Sequence, residues 1–487
     1  MDKGIIAWPV LLVAASWMLH AAAEKSAKFD VKNLLAGQAA FIDGRSLKPG
    51  TFRKITADAL PPPFATSSSA NPPHLVPRPA NAWPQAPAGF MVELYATNLD
   101  EPREIRIAPN GDLFVAETHL GQLKIFRGRH KDGKPQQVSV FATGLNQPFG
   151  IAFYPRGANP QWVYVGNTNS VVRFPYRNGD MKATATAEEI IAHLPTGGHS
   201  TRDLAFSLDG KRLFVSVGSG SNVSDPDRNP GEFHRANILE YTPDGKFTGV
   251  YASGIRNPAG IGVNPTTGEV WCSTNERDSL GDNLVPDYIT HVQPGGFYGW
   301  PWYYIGGHPD PRLEGRHPEL KDKAIVPDVL LQPHNASLAL TFYDGAQFPR
   351  EYRGDLFAAE HGSWNRANRT GYEVIRVPLD NGHASGVFED FITGFVTPGR
   401  GSVGPPRRRH RRPGWLTLFH RRWNQIHLAR QLRWKIASAT SSLPEPERRA
   451  DRNCTYPQYT STFRPPASSR SRRVCRHRSP ALRPSGL

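Results

Sequence analysis

The feature that most limits what this chain can fold into is a strand–turn–strand unit that returns five times. An apolar run, a turn and a second apolar run follow one another at a spacing of roughly 50 residues. The second runs are Gly-Asp-Leu-Phe-Val-Ala-Glu at 111–117, Gln-Trp-Val-Tyr-Val-Gly-Asn at 161–167 and Lys-Arg-Leu-Phe-Val-Ser-Val-Gly at 211–218. Gly-Glu-Val-Trp-Cys-Ser-Thr at 268–274 and Gly-Asp-Leu-Phe-Ala-Ala-Glu at 354–360 complete the set. Asn110-Gly111, Asp209-Gly210 and Asp344-Gly345 punctuate three of the units as tight hairpin turns require. Hairpins recurring at this period, with insertions between them, are the mark of an all-β propeller built from radially repeated sheets. The 45 glycines and 45 prolines suit many short strands joined by turns, not long helices.

Outside the repeat the chain divides by composition. Lys3, the apolar run from Ile5 to Leu19 and Ala21-Ala22-Ala23 read as a signal peptide over 1–23, so export to the periplasm or beyond is expected. The apolar run is short for a membrane span, and nothing later resembles one. Residues 24–88 form an irregular, Pro-rich extension, with room for a short helix within 28–40. The propeller occupies 89–399. The formal charge of +15 is concentrated beyond it: 21 of the 58 Lys and Arg but only 3 of the 43 Asp and Glu lie at 400–487. The body is therefore mildly acidic, and no nucleic-acid partner is expected despite the basic tail. Cys454 and Cys475 also lie in the tail; Cys272 sits in a strand pattern and reads as a small core residue.

Five units leave a gap if the ring has six blades. Back-translated and read one base later, Pro405 to Arg412 gives Arg-Pro-Val-Gly-Val-Thr-Val-Ala, and the same frame continues into Asp-Gly turn chemistry. The expectation is a six-bladed propeller with five clear blades, the sixth lost to an apparent frameshift, and a disordered basic tail over 400–487. Genomic sequence near codon 400 tests this.

Four loop clusters flank the hairpin strands. His199-Ser200-Thr201-Arg202-Asp203 offers a neutral base near pH 7. Gly254-Ile255-Arg256-Asn257-Pro258 offers a carboxylate-pairing guanidinium and an amide. Asn275-Glu276-Arg277-Asp278, with Asp282 and Asp287, is oxygen-rich in a way that suits calcium. Glu360-His361-Gly362-Ser363-Trp364-Asn365-Arg366 runs from a strand into polar and aromatic residues. Nucleotide and nicotinamide loops, Cys-x-x-Cys and His-Glu-x-x-His are absent.

In this order, and followed by Gly-Gly-Phe-Tyr-Gly-Trp-Pro at 295–301, the clusters resemble the soluble PQQ-dependent sugar dehydrogenases, nearest the sorbosone dehydrogenase branch and related to soluble glucose dehydrogenase. The resemblance implies a six-bladed propeller carrying pyrroloquinoline quinone (PQQ) and Ca2+. It implies His199 as the base that takes the substrate hydroxyl proton while hydride passes to the quinone. Arg256 and Asn257 match quinone contacts; Arg202, His361 and Arg366 are further cofactor-binding candidates. Glu276 and Arg277 fall where main-chain carbonyls hold the calcium. Where the resemblance calls for an acidic residue to orient the base, this chain has Ser219, leaving Asp203 or Asp225 as substitutes. The implied activity is oxidation of a sugar or sugar aldehyde with electrons passed to an external quinone or cytochrome, in a chain impaired by its missing blade. A calcium-dependent lactonase and a non-enzymatic carbohydrate- or protein-binding propeller are the alternatives.

Overall fold

A computed structural model describes residues 33–74 and 82–396. The signal peptide expected at 1–23 and the tail expected at 400–487 lie outside the described residues. Each of the five sequence units becomes the two inner strands of a four-stranded antiparallel blade. Blade 1 runs Pro102–Ile107, Leu113–Glu117, Gln122–Arg127, Gln137–Ala142. Blade 2 runs Ile151–Tyr154, Trp162–Gly166, Val171–Pro175, Glu188–Ile191. Blade 3 is Leu204–Phe206, Leu213–Val217, Asn237–Tyr241 and Phe247–Ser253; blade 4 is Pro258–Val263, Val270–Thr274, Pro286–Val292 and Val329–Pro333. Blade 5 is Ser337–Phe342, Leu356–Glu360, Glu373–Val377 and Val387–Ile392.

The second strand of each blade is largely apolar because both of its faces are covered. Phe114 and Ala116 pack toward blade 2, and Val163 and Val165 meet them. Leu213, Val215 and Val217 pack with Tyr164 of blade 2, while Phe214 on the opposite face packs toward blade 4. Cys272 is buried and unpaired in the core between blades 3 and 4, beside Ile261 and Tyr288. Alternation with period two thus lets one strand serve two interfaces.

The inner strands ring an axis. Ile105, Ile151, Leu204, Ile261 and Leu340, one from each blade, line a cavity at one end. Nearby, Arg106 of blade 1 donates to Ile151 O of blade 2 (3.2 Å), the Asp203 carboxylate of blade 3 (3.2 Å) and Ile261 O of blade 4 (3.4 Å). One guanidinium so ties four blades together.

Five blades are present among the described residues. The faces that no blade covers are those of blade 5 and blade 1, and one irregular segment covers both. Ala86, Phe90 and Val92 pack on Phe357, Val374 and Phe391 of blade 5. Tyr95, Ala96 and Leu99 then pack on Leu113, Val115 and Phe126 of blade 1. Phe90 sits edge-on to Phe348, Tyr352 and Phe391, with ring centroids 4.8–5.2 Å apart.

The extension before the propeller is partly sheet. Thr51–Lys54 pairs antiparallel with Val387–Ile392, and Leu34–Ala36 pairs parallel with Thr51–Lys54. The helix expected within 28–40 does not form in the described part: Leu34–Ala36 is strand and Gly37–Ala40 a single 3-10 turn. An adjacent strand was available to satisfy those backbone groups. Arg53 makes the junction specific. Fully buried, it pairs with Asp390 and, at 2.8 Å, with Glu373.

Candidate active site at the axial cavity

At the other end of the axis the strand ends of the blades open into a cavity of about 840 Å³. His199, Arg256, Asn257, Glu276 and His361 all line it. They come from blades 3, 4 and 5 or the loops that enter them, so the ring brings together residues more than 150 positions apart.

His199 stands on the loop into blade 3. Its amide donates to Ser219 O (3.1 Å), and its Nδ1 lies 2.9 Å from the same carbonyl and 3.1 Å from Ser219 Oγ. Ser219 Oγ itself donates to Ser221 O (2.6 Å), so both partners of Nδ1 are acceptors. Nδ1 therefore carries the proton and Nε2 the lone pair. Burial, and then the Arg256 charge, push the ring's pKa down to about 4, so it is neutral at pH 7. The residue beneath must be glycine: a Cβ on Gly218 would stand 2.3 Å from Asn257 Oδ1 and 2.7 Å from His199 Cβ.

Arg256 and Asn257 enter blade 4. Arg256 donates through Nε to Asn222 O (3.0 Å), through Nη1 to Glu276 O (2.8 Å) and through Nη2 to Asn222 Oδ1 (3.0 Å). Its Nη2 also faces Asp278 at 3.6 Å. Asn257 Nδ2 donates to Asn275 Oδ1 (3.1 Å). Glu276 borders the cavity through its backbone side, because its carboxylate accepts from Arg277 N and Nε behind it.

Several sequence candidates lie elsewhere. Asp203 is on the axis, accepting from Arg106 and from the amides of Leu204 and Ile261, and it makes no bond to His199. Asp225 pairs with Arg316 (2.8 Å). Neither substitutes for an acidic orienting residue; Ser219 itself makes that contact. Arg202 does not line the cavity. Buried, it donates to His199 O (3.0 Å), Thr201 O (2.6 Å) and Pro195 O, which makes it a brace for the His199 loop. The Arg277 side chain is buried against Glu276, Asp310 and the Pro301 and Tyr303 carbonyls, while the expectation for this residue concerned its main-chain carbonyl alone. Arg366 is turned to Gln332 Oε1 (3.1 Å) and Asn283 Oδ1 (2.7 Å). These residues stand on loops between strands, where successive side chains turn to different sides, so a cluster in sequence is not a cluster in space.

No sequence cluster marked Ser219 as a histidine partner, nor Arg103 and His334 on the cavity wall. His334 is in the left-handed region (φ 64°) and meets Asn365 Nδ2 at 3.2 Å. Its chain position, between two strands, offered no signal. Among the described residues, Asp225, Asp227 and His317 form a group close enough to hold a metal, but Arg316 already places a cation 2.8 and 3.1 Å from the two carboxylates.

Radial four-stranded blades with a histidine- and arginine-lined cavity on their axis define a β-propeller with an axial ligand site. The chain belongs to the TrAA12-like family, whose model matches residues 84–296 and 317–390. It is 27% identical over 264 residues to the pyrroloquinoline quinone-dependent sugar dehydrogenase of Hypocrea jecorina, covering 47% of this chain and 59% of that protein. It is 24% identical over 294 residues to the aldose sugar dehydrogenase YliI of Escherichia coli, covering 54% and 76%. The PQQ domain of Coprinopsis cinerea pyranose dehydrogenase in its holo form shares the fold, with a TM-score of 0.54, 21% identity and coverage of 65% of this chain and 88% of that chain.

Proposed function

We propose that this chain is an exported PQQ-dependent dehydrogenase that oxidises a sugar or sugar aldehyde, of the glucose or sorbosone kind, and passes electrons to an external quinone or cytochrome. The observation that carries the reading is the state of His199. It is a neutral imidazole with Nδ1–H fixed on Ser219 and its basic nitrogen left for a proton, on the wall of a ligand-sized cavity.

The donor set fits a flat polyanionic cofactor. Arg256 and Arg103 supply positive charge, and Asn257, Asn275, His334 and His361 supply polar edges around the same space. Arg256, Asn257 and His361 would hold the quinone. The main-chain carbonyls of Glu276 and Arg277 would hold Ca2+, and that of Glu276 would exchange its bond from Arg256 for the ion. When bound, the quinone supplies a two-electron hydride acceptor that no side chain can provide. The residues of this chain do the rest. Nε2 of His199 takes the hydroxyl proton of the substrate, and Ser219 holds the ring in the tautomer that can do so. Arg256 stays charged beside negative charge, kept in place by Asn222 and the Glu276 carbonyl.

Purified chain incubated with PQQ, Ca2+ and a dye acceptor tests the reading. Sugar-dependent dye reduction that requires PQQ is the expected result, and slow turnover suffices. Lactone hydrolysis without PQQ, or sugar binding without dye reduction under any cofactor, would overturn it. Export is tested separately, by locating the mature chain and its N-terminus after fractionation.

A further inference from the structure

The family match begins at residue 84, yet one wall of the cavity comes from before it. Pro73 lines the cavity together with Trp364 and Asn365. Residues 64–72 lead to it as a strap with neither helix nor strand. An extended segment of this sort must send its backbone groups somewhere, and here they go to two rim loops.

On the blade 4 side, Phe64 N donates to Leu280 O (2.8 Å) and Ser69 N to Asp282 Oδ1 (3.1 Å). In return Gly281 N donates to Ser68 Oγ (3.1 Å) and Asp282 N to Thr66 Oγ1 (2.9 Å). Gly281 has φ +119°, and a Cβ there would stand 2.9 Å from Thr66 O, so the loop is shaped to receive the strap. On the blade 5 side, Asn71 N donates to Trp364 O (2.8 Å), and Asn71 Nδ2 to Ala367 O (2.9 Å). Arg369 clasps Asn71 O and Oδ1, both at 2.9 Å. Asp282 Oδ2 accepts from Ala367 N (2.8 Å), which joins the two loops directly. The same loops carry Asp278, Trp364 and Asn365 of the cavity. Trp364 keeps 54% of its surface exposed while its backbone is held by the strap.

We propose that the strap Phe64–Pro73 is a specificity-determining wall of the site, fixing Pro73 and Trp364 at the mouth so that short saccharides are received and longer chains are refused. The inference rests on the sugar-oxidising reading above. The cavity of about 840 Å³ has to hold the cofactor and the reacting ring. Further rings of a chain must leave through the mouth, and the strap occupies its blade 4–blade 5 side. A wall acts on discrimination between substrates, by rejecting the larger one sterically, and leaves the chemistry of the smaller one in place.

The test compares glucose with maltotriose on the full chain loaded with PQQ and Ca2+. Asn71→Ala loosens the clamp, and Pro73→Gly removes the wall but keeps the clamp. Both are expected to raise the kcat/KM ratio of maltotriose to glucose about tenfold, mainly through KM for the trisaccharide, with PQQ affinity changed less than threefold. Hydrogen exchange gives a readout independent of turnover: amides of Ser69 and Asn71 lose protection in Asn71→Ala while blade amides keep theirs. An unchanged sugar ratio despite lost protection would make the strap a clamp only and sink the proposal. An equal loss for both sugars together with weaker PQQ binding would sink it too, assigning the strap to the cofactor. If the parent chain reduces no dye, the dehydrogenase reading has failed instead. Calorimetric affinities for the two sugars then decide the wall by the same ratio, and absence of binding by either sugar overturns it.

Discussion

The mouth of the ring and the seam between blades 5 and 1 solve opposite problems. At the mouth, polar groups from loops of three blades are held by hydrogen bonds to backbone, as with His199 on Ser219 and Arg256 on Asn222 and Glu276. At the seam, two apolar faces that no blade covers are sealed by residues 86–99, which have no regular structure of their own. The mouth needs direction, and directional bonds anchored on strand ends supply it. The seam needs only area removed from water, which a segment with well-spaced aromatic residues can supply.

Breaking the mouth should cost activity without cost in stability. His199→Ala removes the base and is expected to lower kcat by about 10²–10⁴-fold, with PQQ binding and melting temperature little changed. Breaking the seam should do the reverse. Phe90→Ala deletes a ring packed edge-on against three others and is expected to cost about 2–4 kcal/mol by denaturant titration. Turnover per folded molecule should persist. If Phe90→Ala left stability untouched, the 86–99 segment would not be what closes the ring.

A third change sharpens the contrast on blade 5. Glu360 ends its second strand, buried, and burial raises its pKa to about 8 even against the lowering influence of the Ser337 hydroxyl and the Asn335 amide. The folded state therefore keeps a proton that the unfolded chain releases near pH 4.5. Stability from this group is full below that pH and is lost as pH rises through about 8. Glu360→Gln is neutral at every pH. Its advantage over the parent should be about 1 kcal/mol or less at pH 5 and grow by roughly 4 kcal/mol by pH 9; a pH-independent difference would show that Glu360 is ionised in the folded state.

The repeat was legible because a strand covered on both faces is apolar on both faces over most of its length, and five such strands with turn signals survive insertions. His199, Arg256 and Asn257 were legible as a group because they flank those strands at the same end. What the sequence could not show is direction. Arg202 and Asp203 share a five-residue cluster with His199, but Arg202 braces its loop and Asp203 goes to the axis with Arg106. Arg366 sits in a motif with His361, yet only His361 reaches the cavity. The strand Thr51–Lys54 was hidden in a Pro-rich extension because its partner, Val387–Ile392, lies more than 330 residues away.

The smallest expected effect is the most diagnostic of the mouth. Ser219 gives His199 Nδ1 two acceptors but no charge. Ser219→Asp would put a carboxylate against Nδ1–H. An opposite charge at that distance favours imidazolium and raises the ring's pKa by about one unit or more. His199 works as a base only when neutral, so rate should rise with pH through the ring's pKa and then level off. The parent should reach half its plateau near pH 4, and the variant near pH 5 or above. At pH 5 the variant should thus be slower relative to its own plateau, while at pH 8 a more basic nitrogen should make it equal or faster. Removing the Arg256 charge should move the same limb upward, because that charge contributes to the depression. A limb that stayed in place in both variants would mean that the titrating base is not His199, and the contact with Ser219 would then be structural alone.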